Sequence, residues 1–73
     1  MQGEERYASL MNCPRRVFNL VLDAAMQHNI QFVITHIDGR TTDSVKNYHM
    51  KFKSDEDYEL FKQLLALGFG LEV

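Results

Sequence analysis

Apolar positions recur along this chain with two periods, one helical and one extended, and each predicts its own elements. From Pro14 to Gln27, PRRVFNLVLDAAMQ, a rotation of about 100° per residue gathers Arg16, Asn19, Asp23 and Gln27 into one narrow polar stripe. Val17, Phe18, Leu20, Val21, Leu22, Ala24, Ala25 and Met26 occupy the rest of the circumference. An ordinary surface helix carries a narrower apolar face, a little over ~100° wide. The pattern therefore predicts a central helix covered on two sides, by a sheet and by either a second helix or another chain. Pro14 suits the first turn, where its missing N–H costs nothing. His28 and Asn29 end the helix, since asparagine tolerates the left-handed conformation there.

Extended patterning follows. Ile30 to Ile37, IQFVITHI, is rich in β-branched and aromatic residues and reads as a strand. Strict alternation puts Ile30, Phe32 and Ile34 on one face and Gln31, Val33, Thr35 and Ile37 on the other. Asp38-Gly39 is a hairpin-turn dipeptide, with Arg40 to Ser44 as a longer loop in the alternative. Val45 to Lys53 reads as a second strand, with Tyr48, Met50 and Phe52 turned inward and Asn47, His49, Lys51 and Lys53 turned to water. Ser54, three residues before Asp57, resembles a capping box, and Asp55, Glu56 and Asp57 favour the positive end of a helix dipole. The helix they open, Asp55 to Leu67, directs Tyr58, Leu60, Phe61, Leu64 and Leu65 at the core, and Gly68 caps it.

The two ends are ambiguous. Glu4 to Met11 has helical propensity but also alternates as a strand, and Phe69 to Val73 reads as a short strand or a tail. Helix, hairpin, helix is the firm core of this reading. A two-stranded sheet is thin, and three or more strands are usually needed for stability. Taking Arg6 to Met11 and Phe69 to Val73 as strands gives β-α-β-β-α-β, an α+β fold of the two-layer ferredoxin-like kind, with residues 1–73 as one domain. Three helices with a bare hairpin is the other arrangement.

The run NCPRRVFNLVLDAAMQHNIQFVITHIDGR, about half the chain, resembles the first half of an ACT-type regulatory domain. Asn12, Cys13 and Pro14 stand where such domains carry a short turn after the first strand, and His28 to Phe32 resembles their helix-to-strand junction. Thr35 to Arg40 looks like a Thr-His-Ile stretch of aromatic-amino-acid hydroxylase ACT domains, displaced by about two residues, and Arg15 replaces the expected turn glycine. The resemblance implies an amino-acid effector site at Asn12, Cys13, Pro14, Arg15 and Arg16, near a subunit interface.

Composition narrows the chemistry. The 73 residues are 45% hydrophobic and 25% charged, which are globular values. A net charge of −2 gives no general attraction to nucleic acid or anionic membrane. Cys13 is the single cysteine, so no internal disulfide can form and a reducing, cytoplasmic setting is expected. No signal-peptide pattern opens the chain, and no apolar run approaches the ~20 residues that span a bilayer. Cys13 at a helix N-terminus beside Arg15 and Arg16 has the setting of an activated thiol, yet no histidine is placed near it by sequence, and a small residue filling a turn is the simpler role. No Cys/His spacing supplies the four ligands of a zinc site, and no Gly-rich phosphate loop is present, so neither metal nor cofactor nor enzymatic activity is expected.

Three binding functions remain. Protein association has the best physical motive, because the central helix is apolar beyond what one layer covers and a small domain gains from burying more surface. Val33 and Ile37 would supply apolar contact and Asp55, Glu56, Asp57 and Glu59 an acidic patch, toward a second copy or a larger protein. An amino-acid effector is the second reading, carried by the resemblance. Single-stranded nucleic acid is the third, through Lys46, His49, Lys51 and Lys53 interleaved with Tyr48 and Phe52.

Overall fold

The structure, a computed structural model, describes residues 5–39 and 45–72. The elements run β1 (Arg6–Pro14), α1 (Arg15–Gln27), β2 (Val33–Asp38), β3 (Val45–Phe52) and α2 (Asp55–Leu64), which continues into a π-helical turn at Leu65–Phe69. The three strands form one sheet in the order β1-β3-β2, and both outer strands run antiparallel to β3. Strands β1 and β2 are therefore parallel to each other, joined by α1, with β3 inserted between them.

Packing explains why the ambiguous first segment is a strand. Tyr48, Met50 and Phe52 of β3 are buried, and Ala8, Leu10 and Cys13 of β1 are buried alongside them. Against this layer α1 sets Phe18, Val21 and Ala25, while α2 and its π turn add Phe61 and Leu65. Phe18 stacks on Tyr48 with ring centroids 3.8 Å apart, and Phe52 and Phe61 meet at 5.0 Å. Each such side chain contributes about 1.5–3 kcal/mol when fully buried, more than the helical preference of a short segment can oppose. The core thus rests on β1, β3 and two helices. This corrects the helix-hairpin-helix core expected above, because all six residues of β2 remain exposed.

The helix boundaries follow their chemistry, with two corrections. Pro14 closes β1 and forms the N-cap of α1, with φ −61° and ψ 141°, rather than its first helical residue. Asn29 takes φ 57° just past the helix, as the sequence predicts. At α2, Ser54 Oγ accepts the Asp57 N–H at 3.0 Å, which is the predicted N-cap bond. Its C-terminus differs. The chain widens into the π turn, and Gly70 at φ 68°, not Gly68, ends it, with Leu71 N–H bonded to Leu65 O at 3.0 Å. The expected last strand is consequently not formed through residue 72. Phe69 lies in the turn and, with Leu71, packs against the core instead. Leu60, expected inside, is 41% exposed.

Each outer strand carries one extra residue against β3. On β1 the register passes from Leu10↔Tyr48 to Cys13↔Lys46, and Asn12 takes φ 54° within the bulge. This turns Cys13 inward with Leu10. On β2 it passes from Ile34↔Met50 to His36↔His49, so Thr35 is the extra residue. Side chains alternate strictly in a strand, and one inserted residue reverses the alternation beyond it. Ile37 therefore pairs with inward-facing Tyr48, whereas Val33 pairs with outward-facing Lys51. The shared face expected for Val33 and Ile37 is not formed. Arg40 to Ser44 and Met1 to Glu4 lie outside the described residues, as does Val73.

Candidate functional site

The sheet has two unlike faces. On the helical side, α1 leans over β1 and β3 and leaves β2 uncovered. A furrow of about 590 Å³ runs between α1 and the start of β2, lined by Leu22, Met26, Ile30 and Ile34 among others. A second hollow, of about 290 Å³, shares Leu22 and Ile34 and extends it past Phe18, Asn19 and Ile37 to Arg15 and Lys46. The two form one groove, apolar at the C-terminal end of α1 and basic at its N-terminal end. Met26 is 74% exposed on its rim, and Ile37 is 50% exposed on its floor. The second cover that the girth of α1 predicts is not supplied by the described residues.

The open side is polar and knits the three strands together. Asp38 at the end of β2 accepts Asn47 Nδ2–H at Oδ1, 2.6 Å away, and His49 Nε2 lies 3.1 Å from Oδ2. His36 Nε2 approaches the same Oδ2 at 3.3 Å. Across the sheet, His49 Nδ1 lies 2.8 Å from Ser9 Oγ on β1, and Asn47 Oδ1 accepts the Asn12 N–H of the β1 bulge at 2.8 Å. Thr35, the extra residue of β2, donates its hydroxyl to His49 O at 3.2 Å. The hydrogen bonds from Asn47 and His49 lower the Asp38 carboxyl below the ordinary aspartate range. In the neutral imidazole, the contact with an ionised Asp38 selects the Nε2–H tautomer and leaves Nδ1 to accept the Ser9 hydroxyl.

Serine, imidazole and carboxylate stand in sequence here, but acyl transfer also needs aligned oxyanion donors and a site closed to water. Ser9 and His49 line none of the grooves of the helical layer or the β2 rim. Among the described residues, no group of three or more His, Cys, Asp and Glu side chains is placed to hold a metal ion. The cluster acts as a cross-strand clamp. The rings of His36 and His49 lie 5.4 Å apart across the hairpin. The meeting of Ser9, Asp38 and Asn47 is not legible in the sequence, because both bulges decide which side chains meet.

The residues singled out by sequence are dispersed. Around the turn before α1, the Asn12 N–H is already bonded to Asn47, and Pro14 has no N–H to offer. Cys13 is buried, and burial pushes its thiol pKa up, the opposite of an activated thiol. Arg15 and Arg16 are exposed in the first turn of α1. Of the basic set, His49 and Lys51 lie on the open face, while Lys46 belongs to the groove and Lys53 lies beyond the end of β3. Lys51 Nζ lies 3.6 Å from Glu5 Oε2, and the buried rings of Tyr48 and Phe52 cannot receive a stacked base. On α2, Asp55 bonds Arg6 Nε at 2.6 Å, which lowers its carboxyl pKa, and Glu56 and Glu59 are exposed. Asp57 is half-buried beside its cap.

The chain therefore brings one predicted contact residue, Ile37, to an apolar groove that the described residues leave uncovered, and sets Val33, 48% exposed, at that groove's outer rim. No helix among the described residues is long and apolar enough to cross a membrane. Comparison with protein-family models, with curated proteins and with solved structures finds no match, so the reading of this surface rests on its geometry alone.

Proposed function

We propose that this chain is a small, non-enzymatic binding or regulatory module of the cytoplasm that works by protein–protein association. The observation that carries the reading is the groove between α1 and β2, where Leu22, Met26, Ile34 and Ile37 lie together uncovered. Solvated apolar surface of this extent favours a partner, at about 25 cal/mol for each Å² removed from water. The fold belongs to the same reading, as a ferredoxin-like sandwich in which, among the described residues, no strand pairs with the outer edge of β1 or β2. Both edges carry bulges, which discourage strand addition. Contact through side chains in the groove is favoured over extension of the sheet.

The test is a pull-down from cell extract with the tagged chain, with and without nuclease, repeated with Val33 and Ile37 both replaced by serine. A stoichiometric protein that survives nuclease and is lost with the double variant, while circular dichroism stays unchanged, supports association. Partners lost on nuclease treatment turn the reading to single-stranded nucleic acid at His49, Lys51 and Lys53. An empty pull-down turns it to the amino-acid effector. Amide shifts on adding aromatic or branched amino acids would then cluster at Asn12 to Arg16.

A further inference from the structure

The groove has a counterpart on the same molecule. Along α1, Arg15, Asn19, Leu22 and Met26 follow one another at i, i+4, i+7 and i+11 and form the helical wall of the groove. The stripe is basic at its start and apolar at its end. Along α2, Glu56, Glu59, Leu60, Gln63 and Leu67 follow the same spacing on an exposed face that continues into the π-helical turn. This second stripe is acidic at its start and apolar at its end, where Leu67 is 87% exposed. Each stripe spans twelve residues, about 16 Å of helix from first to last. Laid parallel in this register, Glu56 stands level with Arg15, Leu60 with Asn19, Gln63 with Leu22 and Leu67 with Met26.

We propose that the occupant of the groove is a second copy of this chain, which seats the Glu56–Leu67 stripe of α2 in it, parallel to α1. The inference rests on the association reading above and names its partner. Equal length, opposite charge at the starting end and apolar residues at the far end support it. A helix laid in an apolar groove is a recurrent mode of recognition, read from anchors at this spacing. The contact places the acidic start of α2 and the exposed Ile37, which the sequence assigns to one association surface, on the two opposing sides of that interface. A reciprocal exchange between two copies closes a dimer, and a one-way exchange continues as a longer assembly.

Charge exchange across the interface tests this directly. Arg15→Glu and Glu59→Arg are made singly and together, and mass is followed by sedimentation from micromolar to millimolar concentration. Arg15→Glu replaces a cation at the positive end of the α1 dipole, so it does not weaken the helix. We expect each single variant to loosen the assembly by about fivefold and the double variant to recover most of the loss. Leu67→Glu, at a position 87% exposed, should loosen it by tenfold or more. A chain that stays at one mass throughout overturns the second-copy assignment, while a pull-down partner lost with the Val33 and Ile37 double variant leaves the association reading standing. An assembly indifferent to all three changes shows that the copies meet elsewhere, and that too overturns the assignment.

Discussion

Three side chains converge on the Asp38 carboxylate, and its lowered pKa has a definite sign for stability. A carboxyl held below its unfolded value stabilises the native state above about pH 3.9, and that contribution is lost as pH falls through the lowered native value. Asp38→Asn should therefore flatten the acid limb of a pH-unfolding curve followed by circular dichroism, and a limb identical to that of the parent chain would show that the hydrogen bonds from Asn47 and His49 do not distinguish the two states. Asp55, lowered by Arg6, acts in the same direction. Cys13 supplies the opposite case. Its buried thiol should react with an aromatic disulfide reagent far more slowly than a free cysteine until denaturant is added. Rapid reaction in buffer would place it at the surface. At this scale the inward set Tyr48, Met50 and Phe52 is legible from alternation alone, whereas the Ser9–His49–Asp38–Asn47 cluster is not, because its members come from three strands whose registers depend on bulges.

Capping and handedness act at the scale of elements. Ser54→Ala removes the acceptor for the Asp57 N–H and should cost about 1 kcal/mol, read as a lower urea midpoint at unchanged slope. Asn29 at φ 57° should accept glycine within a few tenths of a kcal/mol but lose about 1 kcal/mol to alanine, since a Cβ is disfavoured in the left-handed region. Equal stability of the two variants would mean that the turn after α1 relaxes. Helix starts and stops are legible because the signals are local: a proline before α1, an asparagine after it and a serine before α2. The end of α2 is less so. Gly68 and Gly70 are equally suited to a cap, and the widening at Leu65 to Phe69, which lets Leu65 stay buried while Phe69 and Leu71 reach the core, selects the second. The bulges at Asn12 and Thr35 have no signature that distinguishes them from ordinary strand residues.

The molecule as a whole is a small domain with one apolar layer to spare. If copies dock through the groove, mass action raises the melting temperature with protein concentration, and calorimetry over a hundredfold range should show the rise in the parent chain and its loss in Leu67→Glu. A midpoint independent of concentration would point to a different partner for the same surface. The two helices, the inward face of β3, the N-cap of α2 and the surplus girth of α1 are legible from the chain without its fold, because each depends on neighbours within a turn or two of chain. Tertiary structure alone decided that the opening segment is a strand, that the last is not, and that Val33 and Ile37 part to opposite faces. Those outcomes depend on which strand lies beside β3 and with what register, and pairing energies between distant segments outweigh the weak local preferences of each.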